Sequence, residues 1–299
     1  MFKNIFLIFF ALVSVTSVTC AFAESKKLTQ PEKSTQLEFG GWNLVAKQLI
    51  KDGVNPKLVK QVLESVPAFE FIPFKLKPVE GSSMYNLMTE TKRIDRAAEN
   101  LKKYKKSFHE AEHKFGVTRY AIAAIISVET NWGTFTGDNI VLYRLLRIAS
   151  TLDPSNVNLN YKKHQQEDAS VALQQTEDRA KYLFDTFYPQ ILAIFKIYDD
   201  QPDRILELKG SVAGAFGLPQ FLPLSYQKYA LDGNADGKID LMDPEDAIMS
   251  VANFLKAHGW RKLMPPQEKL KVLWHYNRSD AYGRAIIKVA LNLQSRDVR

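Results

Sequence analysis

From Val117 to Gly133 the chain reads VTRYAIAAIISVETNWG, the stretch that most restricts how it can fold. Thr118 is a residue type that caps helices, and Ala121, Ile122, Ala123, Ala124, Ile125, Ile126 and Val128 then place apolar side chains on nearly every face. Such a helix has no face to offer water, so the pattern predicts a central, buried helix. It ends in a carboxylate, Glu129. Burial disfavours the charged form, and the carbonyl end of a helix disfavours it further, which makes Glu129 a candidate protonated acid near neutral pH. Proton donation to a leaving oxygen needs such a group. A plainer alternative is a helix-terminal Glu paired with an Arg or Lys, and periodicity alone does not separate the two.

The flanking sequence is helical as well. Between Trp42 and Ser65 apolar residues recur at helical spacing on either side of a turn at Gly53 to Pro56, predicting two short helices. Pro67 to Glu80 carries three prolines among aromatic and aliphatic anchors and reads as an extended connector over the surface. Asp95 to Phe115 reads as one long amphipathic helix ending at Gly116, Ile140 to Ala149 as another, and Arg179 to Tyr198 as a long apolar one. The polar stretch at about 152–176 lacks an apolar face and reads as a loop, or as a helix lying over a cleft. Few residues alternate at strand spacing, so the fold class is mainly α.

The chain opens with Met1-Phe2-Lys3, an apolar run from Ile5 to Val18, and Ala21-Phe22-Ala23 before Glu24. This is the form of a secretory signal peptide over residues 1–23, followed by a disordered tether over 24–34. Cys20, the single cysteine, lies inside the leader, so the mature protein is expected to carry neither thiol chemistry nor a disulfide. Ser17 and Thr19 suit lipidation of Cys20 poorly. The net charge of +7 favours anionic partners, and for an exported bacterial protein the cell wall, whose peptide stems carry carboxylates, is the nearest one, ahead of nucleic acid. Weak association with the wall or a membrane surface fits the same charge.

Two further stretches carry chemistry. Gly210 to Tyr226, GSVAGAFGLPQFLPLSY, crowds small residues ahead of Gln220, so the backbone can approach a ligand closely with Ser211 and Gln220 as polar contacts. A tight turn between helices is the alternative. Asp232 to Asp243, DGNADGKIDLMD, matches a calcium loop. Asp232, Asn234, Asp236 and Asp240 supply oxygens at the first, third, fifth and ninth positions, Lys238 a backbone carbonyl at the seventh, and Gly237 the sharp turn. Asp243 stands where a closing Glu is usual, yet it precedes Pro244 and suits a helix N-cap, so Asp246 is the favoured closing ligand. The Ca2+ ion so held would be structural. Further on, Tyr276, Asn277 and Tyr282 offer the stacking faces and hydrogen bonds that sugars need, or ordinary helix-end packing. His258 and His275 lack partners at ligand spacing.

In order, SVETNWG, GSVAGAFGLPQFLPLSY, the calcium loop, DPEDAIMSVANFLKAHGW and YNRSDAY resemble the membrane-bound lytic transglycosylase B family, enzymes of the bacterial periplasm that cleave peptidoglycan. The resemblance covers roughly Phe69 to Leu293. It implies a lysozyme-like catalytic core with a single EF-hand-like calcium loop in a domain spanning 35–299, Glu129 as the single catalytic acid and base, and Ser211, Gln220, Tyr276, Asn277 and Tyr282 along a sugar cleft. Arg179 and Tyr182 match a segment near the peptide stem, and Tyr85 matches more loosely. The expected partner is the peptidoglycan glycan strand, cut between N-acetylmuramic acid and N-acetylglucosamine to leave 1,6-anhydro ends. A lysozyme-type muramidase or a non-catalytic wall-binding protein are the rival readings. The 152–176 stretch is longer than the family's, and the segment between Trp260 and Tyr276 is shorter than in its best-known member.

Overall fold

The computed structural model describes residues 38–77 and 88–297; the leader, the tether and Tyr85 lie outside the described residues. In chain order the helices begin with α1 (Asn43–Lys51), α2 (Pro56–Glu64), α3 (Thr91–Lys103), α4 (Lys105–Phe115) and α5 (Arg119–Thr130). The strand β1 (Asn139–Ile140) leads into α6 (Val141–Ala149), α7 (Pro154–Glu167), α8 (Leu173–Ile197) and α9 (Pro202–Glu207). After β2 (Lys209–Gly210) come α10 (Pro223–Tyr229), α11 (Pro244–Ala257), α12 (Pro266–Tyr276) and α13 (Asp280–Asp297). The chain divides into two compact units, one holding residues 88–144 and 207–297, the other 38–77 and 145–206.

In the first unit α5 is the centre, packed by α13, α3, α11 and α4. Its residues from Ala121 to Thr130 are all buried, as an apolar run without a polar face requires. Each isoleucine so placed contributes about 1.5–3 kcal/mol. Thr118 occupies the N-cap position, but its side chain makes no cap bond; Glu112 from α4 stands in, its Oε1 3.4 Å from the Arg119 N–H and its Oε2 accepting from the Arg119 guanidinium at 2.9 Å. The helix expected as one from Asp95 to Phe115 is two, broken at Tyr104 (φ −103°, ψ 33°). Tyr104 stacks on Trp132, with ring centroids 6.4 Å apart and planes 4° from parallel. The apolar stripe runs on across this break through Ala97 and Phe108, so periodicity does not reveal it.

β1 and β2 pair antiparallel, Asn139 opposite Gly210 and Ile140 opposite Lys209. The close approach demands glycine: a Cβ on Gly137 would stand 2.2 Å from the Gly210 carbonyl oxygen, and one on Gly210 would stand 2.2 Å from that of Ala215.

In the second unit the Asn55 side chain caps α2 through the Lys57 N–H at 2.9 Å, with Pro56 at the first helical position. The polar stretch of uncertain role is mainly α7, and it is held by buried polar side chains instead of apolar ones. Asn156, Asn160 and His164 share one face. Asn156 Oδ1 accepts from the Ile72 N–H at 2.7 Å and Asn160 Oδ1 from the Phe74 N–H at 3.0 Å, while both amide nitrogens donate to the Ile72 carbonyl. The 71–75 segment is extended, as read, but it is not laid over the surface: Ile72 and Phe74 are buried, and its backbone groups are satisfied by these side chains. Among the described residues no helix is long and apolar enough to cross a membrane.

Candidate active site

Glu129 occupies the last turn of α5 and is only 8% exposed. The Tyr282 hydroxyl, from α13, donates to its Oε1 at 2.7 Å. Burial pushes the Glu129 carboxyl from 4.5 up to about 8, opposed by the smaller effect of the Tyr282 hydrogen bond, which favours the charged form. Among the described residues Glu129 forms no ion pair, and no second carboxylate contributes to its shift. The helix-end arginines that a salt-bridged Glu would need are nearby but serve the backbone. Arg93 Nη2 donates to the Ser127 carbonyl at 2.8 Å, and Arg96 bonds Thr134 Oγ1 and lies 3.4 Å from the Asn131 carbonyl. They answer orphan carbonyls at the end of α5 and leave the carboxyl to its tyrosine.

After Glu129 the chain reverses through left-handed residues, Asn131 (φ 49°), Trp132 (φ 57°) and Gly133 (φ 82°). The turn is pinned by Thr130. Its Oγ1 donates to the Leu218 carbonyl at 2.9 Å and accepts from the Gly133 N–H at 3.2 Å. This bond joins the acid's helix to the small-residue run, which is folded by a Phe216–Phe221 bridge with Gln220 at φ 51°.

Gln220 is buried; its Nε2 donates to the Gly217 and Thr136 carbonyls at 2.9 and 3.1 Å, and its buried Oε1 has no protein partner among the described residues. A buried acceptor left without a protein partner calls for one from outside the chain. Ser211 is also buried, and its Oγ accepts from the Ala215 N–H at 3.1 Å, so the structure gives it a turn-closing task. Tyr276 donates from its hydroxyl to the Pro219 carbonyl at 2.5 Å and stacks on Tyr282, centroids 6.1 Å apart and planes 14° from parallel. Burial first, and then the charge of Glu129, hold its phenol well above the usual range. Asn277 is buried at the C-cap of α12. Arg179 and Tyr182 sit together in the other unit, the guanidinium 5.3 Å from the ring centroid, with Arg179 Nε donating to the Lys75 carbonyl at 3.1 Å.

The 232–246 loop is a series of side-chain-to-backbone turns. Asp232 accepts from the Gly237 N–H at 2.8 Å, Asn234 from Asp236 at 3.0 Å, Asp236 from Lys238 at 2.8 Å and Asp240 from Met242 at 2.8 Å. Asp243 caps α11 through the Glu245 N–H at 2.8 Å, the role its place before Pro244 implies. Asp246 is 1% exposed and turns back into the loop, its two oxygens accepting from Gly233 and Asp240, both at 2.7 Å. Every donor on offer is a hard oxygen, which suits a cation such as calcium. Among the described residues no group of three or more His, Cys, Asp or Glu side chains is arranged to hold a metal ion. The loop is tied to the 210–226 run, which Thr130 joins to the acid's helix: the Leu218 N–H donates to the Leu241 carbonyl at 2.8 Å and the Tyr226 hydroxyl to that of Ile239 at 3.0 Å.

A family model described as Transglycosylase SLT domain matches residues 41–272. The chain belongs to that family. The membrane-bound lytic murein transglycosylase B of Escherichia coli K12 is 38% identical over 159 residues, which are 53% of this chain and 36% of that protein, so the chain matches about a third of its relative's length. Among solved structures, Pseudomonas aeruginosa SltB3 in complex with NAG-anhNAM-pentapeptide is similar with a TM-score of 0.63, 19% identity, and coverage of 86% of this chain and 80% of that one. The Escherichia coli lytic transglycosylase Slt35 in complex with calcium gives a TM-score of 0.60 at 21% identity, covering 87% of this chain and 94% of that one. At such identities the two structures establish the lysozyme-like fold.

In this transglycosylase-family chain, the sequence singles out Glu129 and Tyr282 but not the bond between them, and it passes over Arg93, Arg96 and Thr130. The arginines had a signal: two basic residues three apart on a helix can meet one helix end. Thr130 had none, because its partner is a backbone carbonyl 88 residues away.

Proposed function

We propose that the chain is a periplasmic lytic transglycosylase that cleaves the β-1,4 bond between N-acetylmuramic acid and N-acetylglucosamine in peptidoglycan and leaves 1,6-anhydromuramic acid ends. The observation that carries this reading is the state of Glu129: a buried acid with a pKa of about 8, hydrogen-bonded by one phenol and perturbed by no second carboxylate among the described residues. Glycosidases that use two carboxylates divide acid from base or nucleophile. Here one group serves twice. Protonated Glu129 gives its proton to the glycosidic oxygen as the bond from C1 breaks, and the muramic acid acetamido group supports the positive charge at C1. Glu129, now ionised and held by the Tyr282 hydroxyl, takes the proton of the sugar's 6-hydroxyl as that oxygen bonds to C1. The acid form returns and no water is consumed. The tethered hydroxyl supplies the large effective concentration of an intramolecular attack.

Gln220, Asn277, Tyr276, Tyr282 and Ser211 are the proposed sugar contacts, and Arg179, Tyr182 and Tyr85 the proposed contacts nearer the peptide. The SltB3 complex supports the substrate class, since its anhydro-sugar ligand is what such a reaction leaves. The calcium complex of Slt35 supports assigning the 232–246 loop to a structural calcium ion, held by Asp232, Asn234, Asp236, Asp240, Asp246 and the Lys238 carbonyl, with Asp243 as the cap. Bound there, calcium would supply a fixed charge that braces the loop, with no part in bond breaking. Export by the 1–23 leader accounts for the location.

Mass spectrometry of purified sacculi digested by the mature protein, wild type beside Glu129→Gln, tests the reading. Anhydro-muropeptides from the wild type and none from the variant are expected. Reducing ends in their place would make the protein a hydrolase, and wall binding without release by either would make it a binding protein.

A further inference from the structure

The α3, α4 and α13 helices, with the first residue of α5, line a cavity of about 550 Å³, within the range of small-ligand sites. Its polar lining is Lys102, Lys105, His109, Arg119, Arg296 and Asp297, with Leu101 and Leu293 as an apolar floor. None of these residues has a part in the reaction proposed above. The two arginines are already committed: Arg119 bridges Glu112 and Asp297 at 2.9 Å each, and Arg296 pairs with Asp95. Tyr120 also donates to Asp297, at 2.8 Å. Three carboxylates, Glu112, Asp297 and Asp95, face the two guanidiniums, and Asp297 also feels the charge of Lys105, so it is Lys102 and Lys105 that turn the balance of this cluster positive. Both are exposed, and among the described residues neither has an ion pair.

We propose that this cavity binds a short acidic peptide, the carboxylate-bearing stem of peptidoglycan, as an anchoring site additional to the cleft at Glu129. The inference rests on the reading that peptidoglycan is the substrate. A lone phosphate is best held by free guanidinium forks converging on one point, and these forks are occupied. What remains is the exposed Lys102 and Lys105 side chains and the apolar Leu101 and Leu293 in one lining, around a volume too large for one small anion. That combination suits an elongated ligand with separated carboxylates and short aliphatic side chains. An enzyme held by the stem peptide keeps its glycan strand at high local concentration, since the second contact becomes intramolecular.

The test uses Glu129→Gln protein, which cannot consume its ligand, and stem peptide released from sacculi, with affinity measured by calorimetry. Binding is expected, weakened on the order of tenfold by Lys102→Glu with Lys105→Glu, and retained by Lys102→Arg with Lys105→Arg. Unchanged affinity in the charge-reversed protein would overturn the proposal, as would an equal loss in the arginine pair. Capture by phosphatidylglycerol vesicles with no peptide binding would assign the cavity to a lipid headgroup and overturn it too. Failure of the catalytic reading appears separately, as absence of anhydro products from the active chain.

Discussion

Tyr282 donates its hydroxyl to Glu129 Oε1 at 2.7 Å across 153 residues of sequence, and the same ring stacks on Tyr276. The acid is thus oriented by a phenol that α13 carries and that stacks on Tyr276, whose own hydroxyl donates to the Pro219 carbonyl. Burial sets Glu129's affinity for its proton, and Tyr282 trims it.

Removing that hydroxyl should therefore move the titration upward. A donor to the carboxylate favours the charged form, so Tyr282→Phe raises the Glu129 pKa beyond about 8 and carries the alkaline limb of kcat/KM to higher pH. The maximal rate is expected to fall on the order of tenfold to a hundredfold, because the carboxylate loses its anchor. A pH–rate profile on solubilised glycan strands decides; a limb that stays put or moves down contradicts the assignment.

Stability should follow the same group with the opposite appearance. The folded carboxyl holds its proton to about 8 against 4.5 for the free group, so whatever stability it leaves intact below 4.5 is eroded as pH rises and is lost once pH passes the folded value. Glu129→Gln escapes this erosion. The variant should melt with the wild type at about pH 4 and gain on it at about pH 9 by up to several kcal/mol, at roughly 1.4 kcal/mol per unit. A gap that does not grow with pH would refute the shift.

Chelation should act on the fold before the chemistry. If the 232–246 loop holds calcium, the ion stabilises the native state by mass action, about 2.7 kcal/mol at a hundredfold excess over Kd. Melting with and without a chelator measures it, and a lowered transition with the alkaline limb unmoved is expected. Identical melting curves would remove calcium from the account.

Two glycines separate steric need from backbone need. Gly137 has both a left-handed φ of 89° and a carbonyl 2.2 Å from any added Cβ, whereas Gly53 has φ 90° and open space around it. Gly53→Ala should cost about 1 kcal/mol, and Gly137→Ala should cost at least about 3 kcal/mol, in urea unfolding of the two variants. Equal costs would mean that the β1–β2 contact yields easily.

The readable parts of the sequence were those in which a residue's role is set by its neighbours in the chain. An all-apolar helix announces the burial of Glu129, and Asp243 before Pro244 announces a cap. The alternating oxygens from Asp232 to Asp240 read as a calcium loop, and in the structure they close a series of side-chain turns. The hidden parts invert the usual code. Asn156, Asn160 and His164 form a buried stripe at helical spacing that is polar, because it serves an extended segment more than eighty residues away, and a search for apolar faces passes over it. Tyr104 breaks a helix inside an unbroken stripe, at the residue whose ring stacks on Trp132 from the far side of α5 in the sequence. Arg93 reads as a surface charge until the carbonyls of Ser127 and Val128 are placed beside it.

The tie from Thr130 to Leu218 spans 88 residues, and that from Glu129 to Tyr282 spans 153. Contacts so distant in the chain close late, after the entropy of the long loops has been met. In the unfolded chain Glu129 is open to water and titrates as an ordinary acid, near 4.5 and ionised at neutral pH. The fold therefore acts as its own safety catch: on the proposed reading, the proton donor is armed only by the burial that folding completes.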